Sequence, residues 1–379
     1  MHRLRLPGTH RAVAPEITWE RIAPHLLRYG ITRVADVTRL DNIGIPVFLA
    51  VRPGSETLAV SQGKGASPLL AKLSAVMESI ELWHAEQPQL DTFTTTPASL
   101  RLPYTLADLN LRMTDEWIGR LTLPWVEARS LLDGRAVPVP LDLVRLSYSG
   151  SHFWRPRLFE SSSTGLASGN TFTEACLHAL YEAIERDVLA AHPSGTDPRR
   201  LTIDPDTIRD AHLRSLLGLL SEAGVDVRIS CIPNRFAVPT FAAFVWSPLF
   251  PIVCAGSGSH LDPVVAVSRA LTEAVQSRLT EISATRDDIP SDQDTWRDAS
   301  PRPRFPTGPD AVPLDEALSG HEAVHHGMER ELEDVTRRIT DVTGHAPLVV
   351  RLSGPSEPFS VVRVVCPGLS FAEGRTLSA

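Results

Sequence analysis

Apolar positions recur at three- and four-residue intervals in PEITWERIAPHLLRYG, which predicts a helix ending at Gly30. The pattern then shortens: TRVADVT and IPVFLAVRP predict strands, followed by TLAVSQGKG. Helical spacing returns from Ser67 to Glu86. A proline-punctuated middle holds TLPWVEARSL and AVPVPLDLV, which read as strands and connections. SSSTGLASGNT is rich in Gly, Ser and Asn and reads as a loop entering a long helix, TEACLHALYEAIERDVLAAH. A helix near 206–223 is expected next, then strands in VDVRISCI, TFAAFVWS and PIVCAGSGS, and a helix from Pro263 to Ser283. Residues 285–313 lack apolar periodicity and read as a surface loop or linker. The tail adds the helix MERELEDVTRRITDVTG and the strands APLVVRLS and FSVVRVVCPG. No internal repeat is evident. The sum is a mixed α/β (α+β) fold in one interwoven domain, with residues 1–60 as an N-terminal α/β portion packing on a core built from 61–379.

Composition adds limits rather than detail. The 379 residues are 42% hydrophobic and 22% charged, normal for a globular protein with a sizeable core. The net charge of −8 argues against a general nucleic-acid binder. Cys176, Cys231, Cys254 and Cys366 are scattered and form no CxxC pair, which fits a reducing compartment. No run has the length of a membrane span, and the N-terminus lacks the apolar core of a secretory signal. The expectation is a cytoplasmic protein with neither a membrane nor a nucleic acid as partner.

The polar residues on the helices change the picture. On a 100°-per-residue wheel Ser74, Glu78 and Glu81 fall within about 60° of one another, beside the apolar sector of Leu73, Val76, Met77 and Ile80. Glu174, Glu182 and Glu185 cluster similarly on the next long helix, and a third helix carries Glu273 and Gln276 with Arg269 and Arg278 nearby. A solvated face interleaves Lys and Arg with Glu at i to i+4 spacing. Glu78, Glu81 and Glu174 have no such partner, whereas Glu182 has Arg186 at i+4. Ordinary acidic faces could carry the same residues; buried at a cleft, they demand a cation. Acidic oxygen ligands suit Mg²⁺, which usually holds substrate phosphates as well.

Two glycine-containing stretches support a nucleotide. Ser168, Gly169, Asn170 and Thr171 lie just ahead of the Glu174 helix, where backbone N–H groups meet anions readily. Lys64 sits between two glycines in SQGKGAS, and it is one of only two lysines in the chain, the other being Lys72. This is not a P-loop, since Leu58 and Gly65 occupy positions where that pattern needs Gly and Ser or Thr.

These motifs resemble the YcaO family. Ser74, Glu78 and Glu81 match its Ser-x3-Glu-x2-Glu element, and Asn170, Glu174, Glu182, Glu185 and Arg186 match Asn-x3-Glu-x7-Glu-x2-Glu-Arg. EAVQSR resembles the third helix, with Gln276 and Arg278 as the matching positions. The resemblance runs from about residue 45 to the C-terminus. It implies carboxylate-bearing helices packed on mixed sheets around an ATP/Mg²⁺ cleft, with 61–379 as the YcaO catalytic domain. It also implies an enzyme that phosphorylates backbone amide oxygens of a ribosomally made precursor peptide, which a nucleophile then displaces. Glu78, Glu81, Glu174, Glu182 and Glu185 would hold Mg²⁺; Lys64, Ser74, Asn170, Arg186, Gln276 and Arg278 would face ATP. The Pro-x-Pro-x-Pro tail of many azoline-forming members is missing, with only Pro367 near that position. RLPGTHRAV, GITRVADVT and VVRVVCPGL resemble the branch that works with a TfuA protein in thioamide formation. Macroamidine cyclisation and azoline formation are the alternatives. There is no room before residue 45 for a leader-recognition domain, so a TfuA-like or leader-binding partner, or this domain itself, is expected to bind any leader; a homodimer is what the resemblance implies.

HEAVH, residues 321–325, literally matches the zinc-protease HExxH pattern, with His326, Glu329 and His345 as further candidate ligands. Its polar surroundings are poor for a zinc helix, so a zinc peptidase acting through His321, Glu322 and His325 is a rival reading. A catalytically silent ATP-binding partner is another. Cys366 reads as a buried strand cysteine, His84 as structural, and Trp154, Arg155 and Arg157 as strand edge and loop.

Overall fold

The computed structural model describes residues 3–112, 117–147, 158–160, 162–192, 200–285, 311–319, 321 and 327–371. A hairpin, β1 (Leu4–Leu6) and β2 (Thr9–Arg11), precedes α1 (Pro15–Ile22). A three-stranded sheet follows, β3 (Arg33–Asp36), β4 (Val47–Val51) and β5 (Val60–Lys64), carrying α2 (Pro68–Glu86). β5 pairs along its whole length with β4, so residues on both sides of position 60 share one sheet.

The six-stranded sheet runs β6 (Thr92–Thr95), β7 (Leu123–Ser130), β14 (Leu348–Arg351), β15 (Ser360–Val365), β9 (Leu166–Gly169), with β8 (Ala136–Pro140) also on β7. α3 (Phe172–Ala191) lies on its β9–β15 end and also touches α7 (Met328–Thr343). The last sheet orders β10 (Leu201–Ile203), β11 (Asp226–Cys231), β12 (Thr240–Ser247) and β13 (Phe250–Ser259), and α5 (Pro263–Ser283) packs on β12 and β13. The expected mixed α/β architecture is present, with one refinement: every pairing between these strands is antiparallel.

Local chemistry sets the helix starts. Ser67, Thr171, Asp210 and Asp262 each accept a hydrogen bond from a first-turn N–H, and Pro68 and Pro263 fill positions where no N–H is needed. Asp210 therefore starts α4 (Ala211–Glu222) later than the pattern implied; residues 205–207 form a separate 3₁₀ turn. Likewise the first helix yields to 3₁₀ geometry at Ala23 before Gly30 closes it at φ 71°. Of the expected 285–313 loop, residues 286–310 fall outside the described set. Val312 bridges Ile203, and α6 (Leu314–Ala317) buries Leu314 and Ala317.

Leu166–Gly169 is a strand, not the expected loop: it pairs with Ser360–Arg363. Its small residues serve packing. A Cβ on Gly169 would lie 2.5 Å from the backbone N of Ala175 on α3. Gly63 on β5 is as constrained by Ala75 and Ala71 of α2, and Gly258 on β13 by Ala266 of α5.

This is a repeat that the chain does not advertise. Three strands, β5, β9 and β13, each feed a helix that packs back on them. Each strand carries a dipeptide ending in Gly: Gln62-Gly63, Ser168-Gly169 and Ser257-Gly258. Each helix reads Ala-x3-Ala-x2-Glu-x2-Glu/Gln: Ala71, Ala75, Glu78, Glu81; Ala175, Ala179, Glu182, Glu185; Ala266, Ala270, Glu273, Gln276. All six alanines are fully buried, as close strand–helix contact requires. Uneven spacing along the chain and differing loops conceal the repeat from a search for a fixed period.

Candidate active site

The three repeated units face a common cavity of about 530 Å³. It is lined by ten of the eleven expected site residues: Lys64, Ser74, Glu78, Glu81, Asn170, Glu174, Glu182, Glu185, Arg186 and Gln276. The exception is Arg278. Its guanidinium is buried on the other side of α5, 2.8 Å from Asp41 and 3.0 Å from Ser247 Oγ. Two residues beyond Gln276, it sits about 200° around the helix, so the two side chains cannot share a face. Arg278 is a core ion pair.

Within the cleft the two acidic positions of each helix have distinct tasks. The first reaches its own unit's strand: Glu78 accepts from Gln62 N (3.1 Å), Glu182 from Gly165 N (3.1 Å) just ahead of β9, and Glu273 from Ser257 Oγ (3.4 Å). The second grips the strand of the next unit. Glu81 accepts from both Ser168 N (2.8 Å) and Ser168 Oγ (2.5 Å), and Glu185 accepts from Ser257 Oγ (2.6 Å). Gln276 closes the ring by donating to Gln62 O (3.2 Å), and Thr280 donates to the Gln62 side chain. Among the described residues β5, β9 and β13 each pair with a neighbour on one side only, so these side chains satisfy backbone groups on sheet edges.

Burial beside like charges has an electrostatic cost. Desolvation pushes the Glu81 carboxyl up to about 8, against the hydrogen bonds from Ser168, and Glu78 and Glu182 push it further. Glu182 is also raised, by burial and then by Glu185, although Arg186 opposes this. Glu273 goes the other way: burial is outweighed by Lys64, whose Nζ lies 2.6 Å away, and by Arg186 and Arg269. Arg186, half exposed at the cleft, has its charge reinforced by Glu185, Glu182 and Glu273. The acids of the first two units thus repel one another, while the third unit is the basic side.

This asymmetry fits Mg²⁺. Carboxylates that cannot all ionise together call for a divalent cation, and Glu78, Glu81, Glu182 and Glu185 would hold it. Among the described residues no three acidic or His/Cys side chains converge into a ready-made cage. Mg²⁺ commonly takes one or two carboxylates together with substrate phosphates, and these side chains would supply the carboxylates. Glu174, also expected to hold Mg²⁺, lines the same cavity with a different set of partners. Its carboxylate accepts from Ala12 N (3.0 Å) and Asn170 Nδ2 (3.2 and 3.3 Å) and lies 3.7 Å from Arg11 Nε. Asn170 in turn accepts from Thr18 Oγ1 (2.7 Å).

Several cleft residues carried no local signal. Arg11, brought in by the N-terminal hairpin, lies 2.7 Å from His178 Nε2, across 167 residues of sequence. His178 Nδ1 lies 3.0 Å from Ser168 O. Burial and the neighbouring Arg11 and Arg269 hold His178 neutral, so its proton sits on Nδ1 and Nε2 accepts from Arg11. Ser168 therefore links Glu81 on one helix to His178 on the next. Of the two lysines, Lys72 stacks over the Trp19 ring at 3.6 Å rather than lining the cleft.

Of the other candidates, residues 322–325 of HEAVH, the adjoining His326, and Trp154, Arg155 and Arg157 lie outside the described residues. His345 is engaged elsewhere, with Nδ1 3.1 Å from Pro103 O. Cys366 is buried directly after β15, and burial pushes its thiol up to about 12, as a structural cysteine requires. His84 packs among Tyr29, Trp83 and Phe359. Among the described residues no helix is long and apolar enough to cross a membrane.

Comparison with known proteins gives the family. A relative of uncharacterized function from Mycobacterium tuberculosis is 43% identical over 286 residues, 75% of this chain; the match spans only 65% of that relative's length. The protein encoded in the tfuA 3′ region of Rhizobium leguminosarum bv. trifolii is 37% identical over 95% of this chain and 88% of its own. The solved structure of YcaO from Methanopyrus kandleri, bound with AMPPCP and Mg²⁺, superposes with a TM-score of 0.75 at 21% identity, covering 100% of this chain and 98% of that one. Residues 62–370 match the family described as YcaO cyclodehydratase, ATP- and Mg²⁺-binding, and the match takes in all three carboxylate helices. This chain belongs to the YcaO family.

Proposed function

We propose that this protein uses ATP and Mg²⁺ to activate backbone amides of a ribosomally made peptide, and that the product is a thioamide. The observation that carries the reading is the ring of glutamates from three helices, interrupted by Lys64, Arg186 and Arg269. An amide carbon is a poor electrophile and its oxygen a poor leaving group; phosphorylation of that oxygen corrects both. The amide oxygen bonds to the γ-phosphorus while the bond to the β–γ bridging oxygen breaks, its electron pair leaving on ADP. Hydrosulfide then adds to the carbon, and phosphate departs with the C–O electron pair and the sulfur's proton, leaving C=S. Such a reaction needs alignment and charge neutralisation more than a covalent catalyst. Mg²⁺ would supply part of that neutralisation on the triphosphate.

The thioamide subtype is supported by the relative in the tfuA 3′ region and by the hairpin element RLPGTHRAV, which delivers Arg11 to the cleft. A TfuA-like partner and a precursor peptide are accordingly part of the proposal, as is a homodimer. The test is incubation of the protein with ATP, Mg²⁺, hydrosulfide and a candidate peptide, with and without a TfuA-like protein, read by mass spectrometry. Exchange of one oxygen for sulfur supports the reading. Loss of water instead identifies azoline or macroamidine formation, and ATP-independent peptide cleavage removes the reading altogether.

A further inference from the structure

The repeat places one more residue of each helix in the cleft, four positions before the first glutamate: Ser74, His178 and Arg269. His178 is committed at both ring nitrogens, to Ser168 O and to Arg11. Arg269 is not. Its Nε is buried without a hydrogen-bond partner, and among the described residues its guanidinium makes no direct ion pair. A buried donor without an acceptor is costly, more so when charged. Arg269 also sits among cations, since its charge acts against both Arg11 and His178. Glu273, one turn away and the nearest acid on the same helix, is taken by Lys64. The third unit also carries neutral Gln276 where the other two have their second glutamate.

An unpaired guanidinium at the basic end of an otherwise acidic cleft is equipped for a doubly charged tetrahedral anion, and Arg presents donors that match phosphate oxygens. We infer that Arg269 binds the γ-phosphoryl group as it passes from ATP to the amide oxygen, a role that rests on the ATP reading above. Glu78, Glu81, Glu182 and Glu185 then serve the metal side of the triphosphate, and Arg269 meets the oxygens whose charge shifts during transfer. Ser74 and His178, at the equivalent places, cannot do this: one is uncharged and the other is neutral and fully bonded.

The test separates the phosphates. ADP and a non-hydrolysable ATP analogue, each with Mg²⁺, are titrated calorimetrically into wild type, Arg269→Gln and Arg269→Lys, with thermal unfolding as a control. Wild type is expected to prefer the analogue. Arg269→Gln is expected to lose that preference, at least about tenfold on the analogue, with ADP affinity unchanged, and Arg269→Lys to recover part of it. Equal loss for both nucleotides, or no loss for either, overturns the assignment. Wild type that binds neither nucleotide overturns the ATP reading and this inference together.

Discussion

Glu81 on α2 accepts both the backbone N–H and the hydroxyl of Ser168 on β9, at 2.8 and 2.5 Å, and is thereby fixed in a half-buried position beside Glu78 and Glu182. The geometry holds a carboxyl group where its charge is unwelcome until a cation arrives. A proton and a metal ion then compete for it.

A pH dependence with a definite sign results. Burial pushes Glu81 from 4.5 up to about 8, so at neutral pH the metal-free protein carries a proton that Mg²⁺ must displace. Mg²⁺-dependent nucleotide binding should strengthen as pH rises from 6 to about 8 and then level off, with proton release detectable as buffer-dependent heat in calorimetry. In the metal-free protein the stability contribution of this group is full below 4.5 and falls as pH rises towards about 8, a loss that Mg²⁺ should reverse. Glu81→Gln should flatten the profile; an unchanged profile would mean that another group titrates.

Glu78→Gln and Glu182→Gln remove a metal-side charge but keep the shape and the ability to accept from Gln62 N and Gly165 N. ATP turnover should fall on the order of 10²–10³-fold or more, the scale for losing one preorganised charge-stabilising group. Without Mg²⁺ the melting temperature should hold or rise slightly, because a like-charge repulsion is relieved. Full activity in either variant would remove the carboxylates from the mechanism.

Close approach of strand and helix is tested at Gly63. An added Cβ would lie 2.0 Å from Ala75 N and 2.3 Å from Ala71 O, both backbone atoms that cannot step aside. Gly63→Ala should therefore cost at least about 1–3 kcal/mol and weaken Mg²⁺–ATP binding by displacing α2. Gly218, inside α4 with nothing within 4 Å of an added Cβ, is the control: alanine there should be neutral or stabilising by up to about 1 kcal/mol. Chemical denaturation of the two variants gives the comparison.

How legible the site was depended on the kind of information. Glu78 with Glu81 and Glu182 with Glu185 announce themselves through helical spacing, because acids gathered on one face are visible locally, and the first pair has no compensating lysine or arginine at all. Arg11 and His178 do not, since their contact joins positions 167 residues apart. Leu166–Gly169 read as a loop because close packing on α3 selects the same Gly and Ser that turns use. The repeat escaped for a related reason: Ala, Ser and Gly recur at the contacts, and such common residues carry little information until the structure aligns them.

Arg278 is the residue that neighbourhood in sequence misplaced, and it gives a further test. It is buried with Asp41, side chains 2% and 4% exposed, and touches Ser247 Oγ rather than the cleft. Removing one member of a buried pair strands the other charge, so Arg278→Ala should cost about 3–5 kcal/mol. Replacing both partners with apolar residues, as in Arg278→Met with Asp41→Leu, should recover much of that loss, because no lone charge is then left buried. In the folded fraction of either variant Mg²⁺–ATP affinity should stay at the wild-type value. Stability by urea titration and affinity by calorimetry, measured on the same preparations, separate the two effects. A loss of affinity in a double variant of normal stability would move Arg278 back to the nucleotide, and would require α5 to turn its other face to the cleft.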